Sequence, residues 1–137
     1  VTFAAATLDA NQHRVELLSA GHGPLLLYKA EKHAVIEYRA QGIPLGVMPE
    51  TSYGQPHDIR MAPGDMLVLV TDGITEWASA NGEMFGLNRL KAFILDHVGL
   101  APNPLIEKLH QEVIGFASGT AQLDDLTVVV LRRPSGG

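Results

Sequence analysis

Three stretches of this chain, Val1 to Leu8, Met66 to Thr71 and Leu126 to Leu131, are mostly apolar at both sets of alternating positions. A strand of that kind needs cover on both faces, so all three are expected in the middle of a layered structure. The run His13-Arg14-Val15-Glu16-Leu17-Leu18 is more polar on one side and is expected nearer an edge or solvent.

The rest of the first half also reads as short strands. Val1 to Asp9, His13 to Ala20, Pro24 to Ala30 and His33 to Arg39 are separated by Asn11, by Gly21 and Gly23, and by the charged turn Lys29-Ala30-Glu31-Lys32. That pattern predicts a meander of antiparallel neighbours. Ala40 to Ser52 carries Gly42, Pro44, Gly46 and Pro49 and reads as an irregular loop. Strand returns over Tyr53 to Met61 and Met66 to Thr71, joined by Ala62-Pro63-Gly64-Asp65, whose Pro and Gly suit a type II turn. The second half changes period. Leu87, Leu90, Phe93, Ile94 and Val98 fall at helical spacing, ending near Gly99. A second helical stripe follows at Leu105, Leu109, Val113 and Phe116, with Asn103 as expected N-cap, Pro104 at N1 and Glu107 near the capping-box position. Leu126 to Arg133 is the last strand, and residues 134–137 read as a tail.

Acidic residues stand at the ends of two of the apolar strands. Asp72 follows Met66 to Thr71 and opens Asp72-Gly73-Ile74-Thr75-Glu76, while Asp124-Asp125 directly precedes Leu126 to Leu131. Carboxylates delivered by buried strand ends are held in place, and two of them can converge on a hard cation such as Mg²⁺ or Mn²⁺. Taken singly, an Asp-Gly after a strand is ordinary turn chemistry and an Asp before one is more often a cap.

Order along the chain adds what single motifs lack. Thr7-Leu8-Asp9, Ser19-Ala20-Gly21-His22-Gly23-Pro24-Leu25-Leu26-Leu27, Gly42-Ile43-Pro44-Leu45-Gly46, Pro63-Gly64-Asp65, Thr71-Asp72-Gly73-Ile74-Thr75-Glu76, Phe85-Gly86 and Gln122-Leu123-Asp124-Asp125-Leu126-Thr127 occur in sequence. Together they resemble the C-terminal part of a bacterial metal-dependent serine/threonine phosphatase domain of the PP2C type, SpoIIE/RsbU branch. The resemblance implies an α+β fold, an α-β-β-α sandwich of antiparallel sheets. In that family further strands, an Asp-bearing metal turn and two long helices come first. Residues 1–133 are therefore expected to be the C-terminal part of the domain, with its N-terminal strands and helices missing and its two-metal site incomplete. The resemblance further implies Asp72 and Asp124 as ligands of Mn²⁺ or Mg²⁺, Asp125 as a residue behind the ligands, and Glu76 as a possible holder of an additional metal. Paired cations of this kind neutralise charge on phosphoryl oxygens and make water a better nucleophile.

Composition removes several alternatives. The chain has no Cys, so disulfides and Cys-based zinc sites are excluded. Its six histidines form no His-x-His or His-x-x-x-His pair, which argues against a histidine metal site. A net charge of -5 offers no basic stripe for nucleic acid. No Gly-x-x-x-x-Gly-Lys-Ser/Thr accompanies the Asp-ended strand, against a P-loop NTPase. No membrane span or leader is read in these residues, and a cytoplasmic location is expected. His22, between two glycines, is expected to be a tight-turn residue with a hydrogen-bonded ring rather than a catalyst, and Trp77 is expected over the strand end beside Asp72.

The expected function is hydrolysis of phosphoserine or phosphothreonine on a regulatory protein of the anti-sigma-factor antagonist type, under an upstream sensory or receiver domain. These residues by themselves are expected to be inactive and to form homo-oligomers. The alternative is a non-catalytic relative that uses the fold for regulatory binding or oligomerisation.

Overall fold

The structure is a computed structural model and describes residues 1–136. Its strands are β1 (Phe3–Asp9), β2 (Arg14–Ala20), β3 (Leu25–Lys29), β4 (Ala34–Tyr38), β5 (His57–Arg60), β6 (Met66–Val70) and β7 (Val128–Arg132). The helices are α1 (Asp72–Glu76), α2 (Gly86–Asp96) and α3 (Pro102–Ala117). Two antiparallel sheets form, ordered β1-β2-β5 and β4-β3-β6-β7.

Side-chain alternation explains the layering. Val15, Leu17 and Ile59 of the first sheet meet Leu25, Leu27 and Leu67 of the second in one buried cluster. The opposite face of the second sheet carries Leu26, Tyr28, Met66, Val68 and Val70, which pack against Leu90, Phe93 and Ile94 of α2 and Leu105, Leu109 and Val113 of α3. The second sheet is thus covered on both faces, as its continuous apolar runs require. The layers run sheet, sheet, helices, and among the described residues no helix covers the outer face of the first sheet.

Local chemistry holds the turns as the residue types demand. Asp65 N–H donates to the Ala62 carbonyl at 3.0 Å with Gly64 at φ +85°, the geometry a type II turn reserves for glycine. The fully buried Asp65 carboxylate accepts from Ala30 N–H, Ala62 N–H and Lys29 Nζ, which ties this turn to the end of β3.

Four expectations are corrected. The first strand is not doubly covered: Phe3 is 48% exposed on the outward face, where no layer lies, and Leu8, on the inward side with Val15, is 50% exposed because β1 is the edge strand. β2 is the central strand of its sheet rather than an edge; its polar alternate positions, Arg14 and Glu16, face solvent beside Asp58 of β5. Alternation reports which face is wet and says nothing of rank within the sheet. The first four strands are not one meander, since the chain leaves the first sheet after β2 and enters the second at β3. Finally, α3 begins at Pro102 with Ala101 as N-cap, without a side-chain cap from Asn103. First-turn N–H groups need no helical partner, so Pro is accommodated at 102 and 104 alike. The Tyr53 to Met61 strand shrinks to β5, and α1 is a short turn of helix that the periodicity did not mark. Of the expected tail, Gly137 lies outside the described residues.

Candidate metal centre

β6 and β7 pair antiparallel with Val70 opposite Val128. The end of one strand therefore lies beside the start of the other, which brings Asp72 and the Asp124-Asp125 turn together across 51 residues of intervening chain. A cavity of ≈ 330 Å³ is lined by Thr2, Gly21, His22, Gly23, Thr71, Asp72, Asp124, Asp125 and Thr127. The expected ligands Asp72 and Asp124 share this cavity, and Asp125 joins them. All three acids are solvent-exposed.

The two acidic turns are stitched together at Thr71. Its N–H donates to the Thr127 carbonyl at 3.1 Å, and its hydroxyl accepts the Thr127 N–H at 3.0 Å and donates to the Asp125 carbonyl at 3.0 Å. Asp125 N–H donates in turn to Asp124 Oδ1 at 2.8 Å, which shapes the acidic dipeptide. Gly73 is buried directly beneath this turn. A Cβ built there would stand 2.3 Å from the Asp125 carbonyl oxygen, so only a residue without a side chain permits the approach.

The opposite wall comes from the crossing between sheets. Ser19, fully buried, donates from Oγ to the His22 carbonyl at 2.6 Å and accepts His22 N–H at 3.1 Å. Gly21, at φ +67°, lies where a Cβ would be 2.5 Å from Pro44 Cγ, so the 42–46 loop packs directly under the turn. The tight turn at His22 is as expected, but backbone groups rather than its ring make these bonds, and the residue lines the acidic cavity. Thr71, Gly73 and Ser19 escaped the sequence reading because none is distinctive alone. The signal was Ser19 three residues before His22, an ordinary backbone-clamping spacing.

Glu76 stands elsewhere. It lines a neighbouring groove of ≈ 460 Å³ with Trp77, Met84, Leu123 and, at the shared border, Asp124. Trp77 does pack near the strand end, its Nε1 donating to Thr120 Oγ1 at 3.0 Å. A further cavity, ≈ 530 Å³, lies at the other end of the sandwich around Leu8, Met61 and Leu131, and no Asp or Glu is among the described residues that line it.

The donors suit a hard divalent cation in kind, since carboxylate oxygens facing water are its preferred ligands. They are short in number: among the described residues no group of three or more His, Cys, Asp or Glu side chains is placed to hold a metal ion.

Two antiparallel sheets backed by helices, with acidic turns at the ends of paired strands, define a PP2C-type phosphatase domain fold. The model of the Stage II sporulation protein E (SpoIIE) family matches residues 1–134, and the chain belongs to that family. Phosphoserine phosphatase RsbU of Bacillus subtilis is 28% identical over 133 residues, covering 97% of this chain and 39% of RsbU. Protein IcfG of Synechocystis is 29% identical over 128 residues, covering 92% of this chain and 19% of IcfG. The SiaA-PP2C domain of Pseudomonas aeruginosa superposes with a TM-score of 0.80 at 21% identity, over 96% of this chain and 51% of that one. The chain thus spans about half of that solved domain and less of the two relatives.

Proposed function

We propose that this chain carries the Asp72 and Asp124 part of a Mn²⁺- or Mg²⁺-dependent centre that hydrolyses phosphoserine or phosphothreonine on a regulatory protein. The observation that carries the reading is the convergence of two acidic turns, far apart in sequence, on one cavity through the β6–β7 register. Asp72 and Asp124 would hold the cation, with Asp125 behind them. A divalent cation supplies charge neutralisation for the phosphoryl oxygens and activation of water. The chain's own contribution is positional. Thr71 and Gly73 fix the Asp124-Asp125 turn, and the Ser19-clamped turn presents His22 on the facing wall. Kinship with an RsbU that is itself a phosphoserine phosphatase supports this substrate chemistry, and an anti-sigma-factor antagonist type of phosphoprotein is the partner that kinship favours.

The test is Mn²⁺-dependent dephosphorylation of a phosphoserine protein by the full-length protein that carries this chain. Asp72→Asn and Asp124→Asn should each lower kcat at least about a hundredfold, since each removes a charged ligand. Asp125→Asn should cost far less. Wild-type rates in Asp72→Asn would overturn the reading. They would favour a second one, a regulatory binding module, to which the small number of converging acids also points.

A further inference from the structure

We infer that Thr71 is a positioning residue for this centre: its hydroxyl, together with the absent side chain of Gly73, sets where the Asp124-Asp125 turn stands relative to Asp72. The inference rests on the metal-centre reading above and adds to it the device that holds the carboxylates in register.

Between β6 and β7 the regular ladder stops at Val70 opposite Val128, two positions short of Asp72 and three short of Asp125. Beyond that point a single backbone bond, from Thr71 N–H to the Thr127 carbonyl, continues the pairing, and it does not reach Asp125. The Thr71 hydroxyl extends the hold to Asp125 with one oxygen atom. A hydroxyl has a single proton to donate, and here it goes to the Asp125 carbonyl, while the oxygen accepts the Thr127 N–H. Both ends of the Asp125 to Thr127 segment are thus bound to the same Oγ1, and the residue that supplies it is covalently next to Asp72. The same Asp125 carbonyl rests against Gly73 on the other side of Asp72, at a separation no Cβ would allow. Asp72 is therefore flanked by two neighbours that both touch Asp125, one by hydrogen bond and one by close contact. Loss of the hydroxyl at 71 or a side chain at 73 would each act on Asp125, and Asp124 is bonded through its Oδ1 to the Asp125 N–H.

Two substitutions attack the device by unrelated routes. Thr71→Val keeps shape and β-branching and the Thr71 N–H bond to the Thr127 carbonyl but removes both hydroxyl hydrogen bonds. Gly73→Ala keeps the hydrogen-bonding groups and inserts a methyl against the Asp125 carbonyl. On helix propensity alone that second change favours α1, so a loss of metal binding there cannot be put down to a weaker helix. Thr71→Ser restores the hydroxyl and is the rescue variant.

The experiment is a Mn²⁺ titration of the 137-residue chain followed by paramagnetic broadening of the Asp72, Gly73 and Asp125 amide resonances, with the thermal midpoint of each variant measured alongside. Thr71→Val and Gly73→Ala should each raise the Mn²⁺ concentration for half-broadening about ten- to a hundredfold, the range typical of groups that orient metal ligands. Thr71→Ser should stay near wild type. Unchanged Mn²⁺ response in folded Thr71→Val, or a loss in Thr71→Ser as large as in Thr71→Val, overturns the inference. If Thr71→Val does not fold, Gly73→Ala decides, and wild-type binding there overturns it equally. Asp72→Asn separates the two levels. If it abolishes broadening while Thr71→Val does not, only the positioning role falls; if it leaves broadening intact, the metal-centre reading falls and takes the positioning role with it.

Discussion

β6 and β1 are both strands of small and aliphatic residues, yet they meet opposite fates. In β6 four of five residues are buried, and in β1 none is. The difference is supplied by neighbours. β6 lies between the first sheet and the helices, whereas β1 is paired on one edge only and its outward face is bare among the described residues. Apolar composition states a need for cover, and only the layer order says whether it is met. The acids hang from β6 and β7, in the better packed of the two sheets. The candidate site is thus carried by the sheet that is covered on both faces.

Core truncation gives the largest expected contrast. Leu26→Ala, on the helix-facing side of the second sheet, should destabilise by about 2–5 kcal/mol because it opens a cavity between sheet and helices. Phe3→Ser should change stability by no more than roughly 0.5 kcal/mol, the usual scale for surface positions. Urea unfolding of both variants checks this. Equal losses at a concentration where the chain is monomeric would mean that β1's outer face is covered within the chain itself and would break the comparison.

A well-packed scaffold does not make up for missing ligands, and calorimetry should show it. Mg²⁺ should bind this chain no tighter than roughly millimolar, because hard cations want several oxygen donors. Tight stoichiometric binding that Asp72→Asn removes would show that the cavity is complete as it stands.

The bare face predicts association. By the β1–β2 register, Phe3, Ala5 and Leu18 share the outward side, opposite the buried Val15 and Leu17. Sedimentation should detect dimers or larger species, and Phe3→Ser should shift them toward monomer. A wild-type monomer across a wide concentration range contradicts this.

The smallest effect belongs to the Arg14–Asp58 pair on the same face, at 2.6 Å. Arg14's hydrogen bond holds the Asp58 carboxyl below the usual carboxylate range. A lowered folded-state value stabilises only above the ordinary carboxylate pKa and is lost as pH falls through the folded one. Both side chains face solvent, so screening leaves little of it. Asp58→Asn should leave the thermal midpoint at neutral pH within error of wild type. A clear drop at neutral pH would give this wet face a stabilising role comparable to the dry one.

How much of this was legible follows from the range of each signal. Periodicity is local, so it found β6, β7, α2 and α3 but could not tell that β2 and β3 lie in different sheets. Motif order pointed to Asp72 and Asp124 without their neighbourhood, which the β6–β7 register supplies. Thr71 ends an apolar strand where Thr is an ordinary β-former, so its double hydrogen bond has no sequence signature. Gly73 looked like turn chemistry, and its real constraint is a carbonyl from a residue 52 positions away. Exposed Leu123 and Met84 beside Glu76 became meaningful only once the loops were in place.

The cavity that holds the acids is bounded by both sheets. Asp72, Asp124 and Asp125 enter from the second sheet, and Thr2, Gly21 and His22 from the end of the first, where the chain passes between them. Its width is therefore a gauge of how the two sheets are aligned. A push on the outer face of the first sheet, delivered far from Asp72 and Asp124, would be read at the acidic cavity as a change in the gap between His22 and the acids.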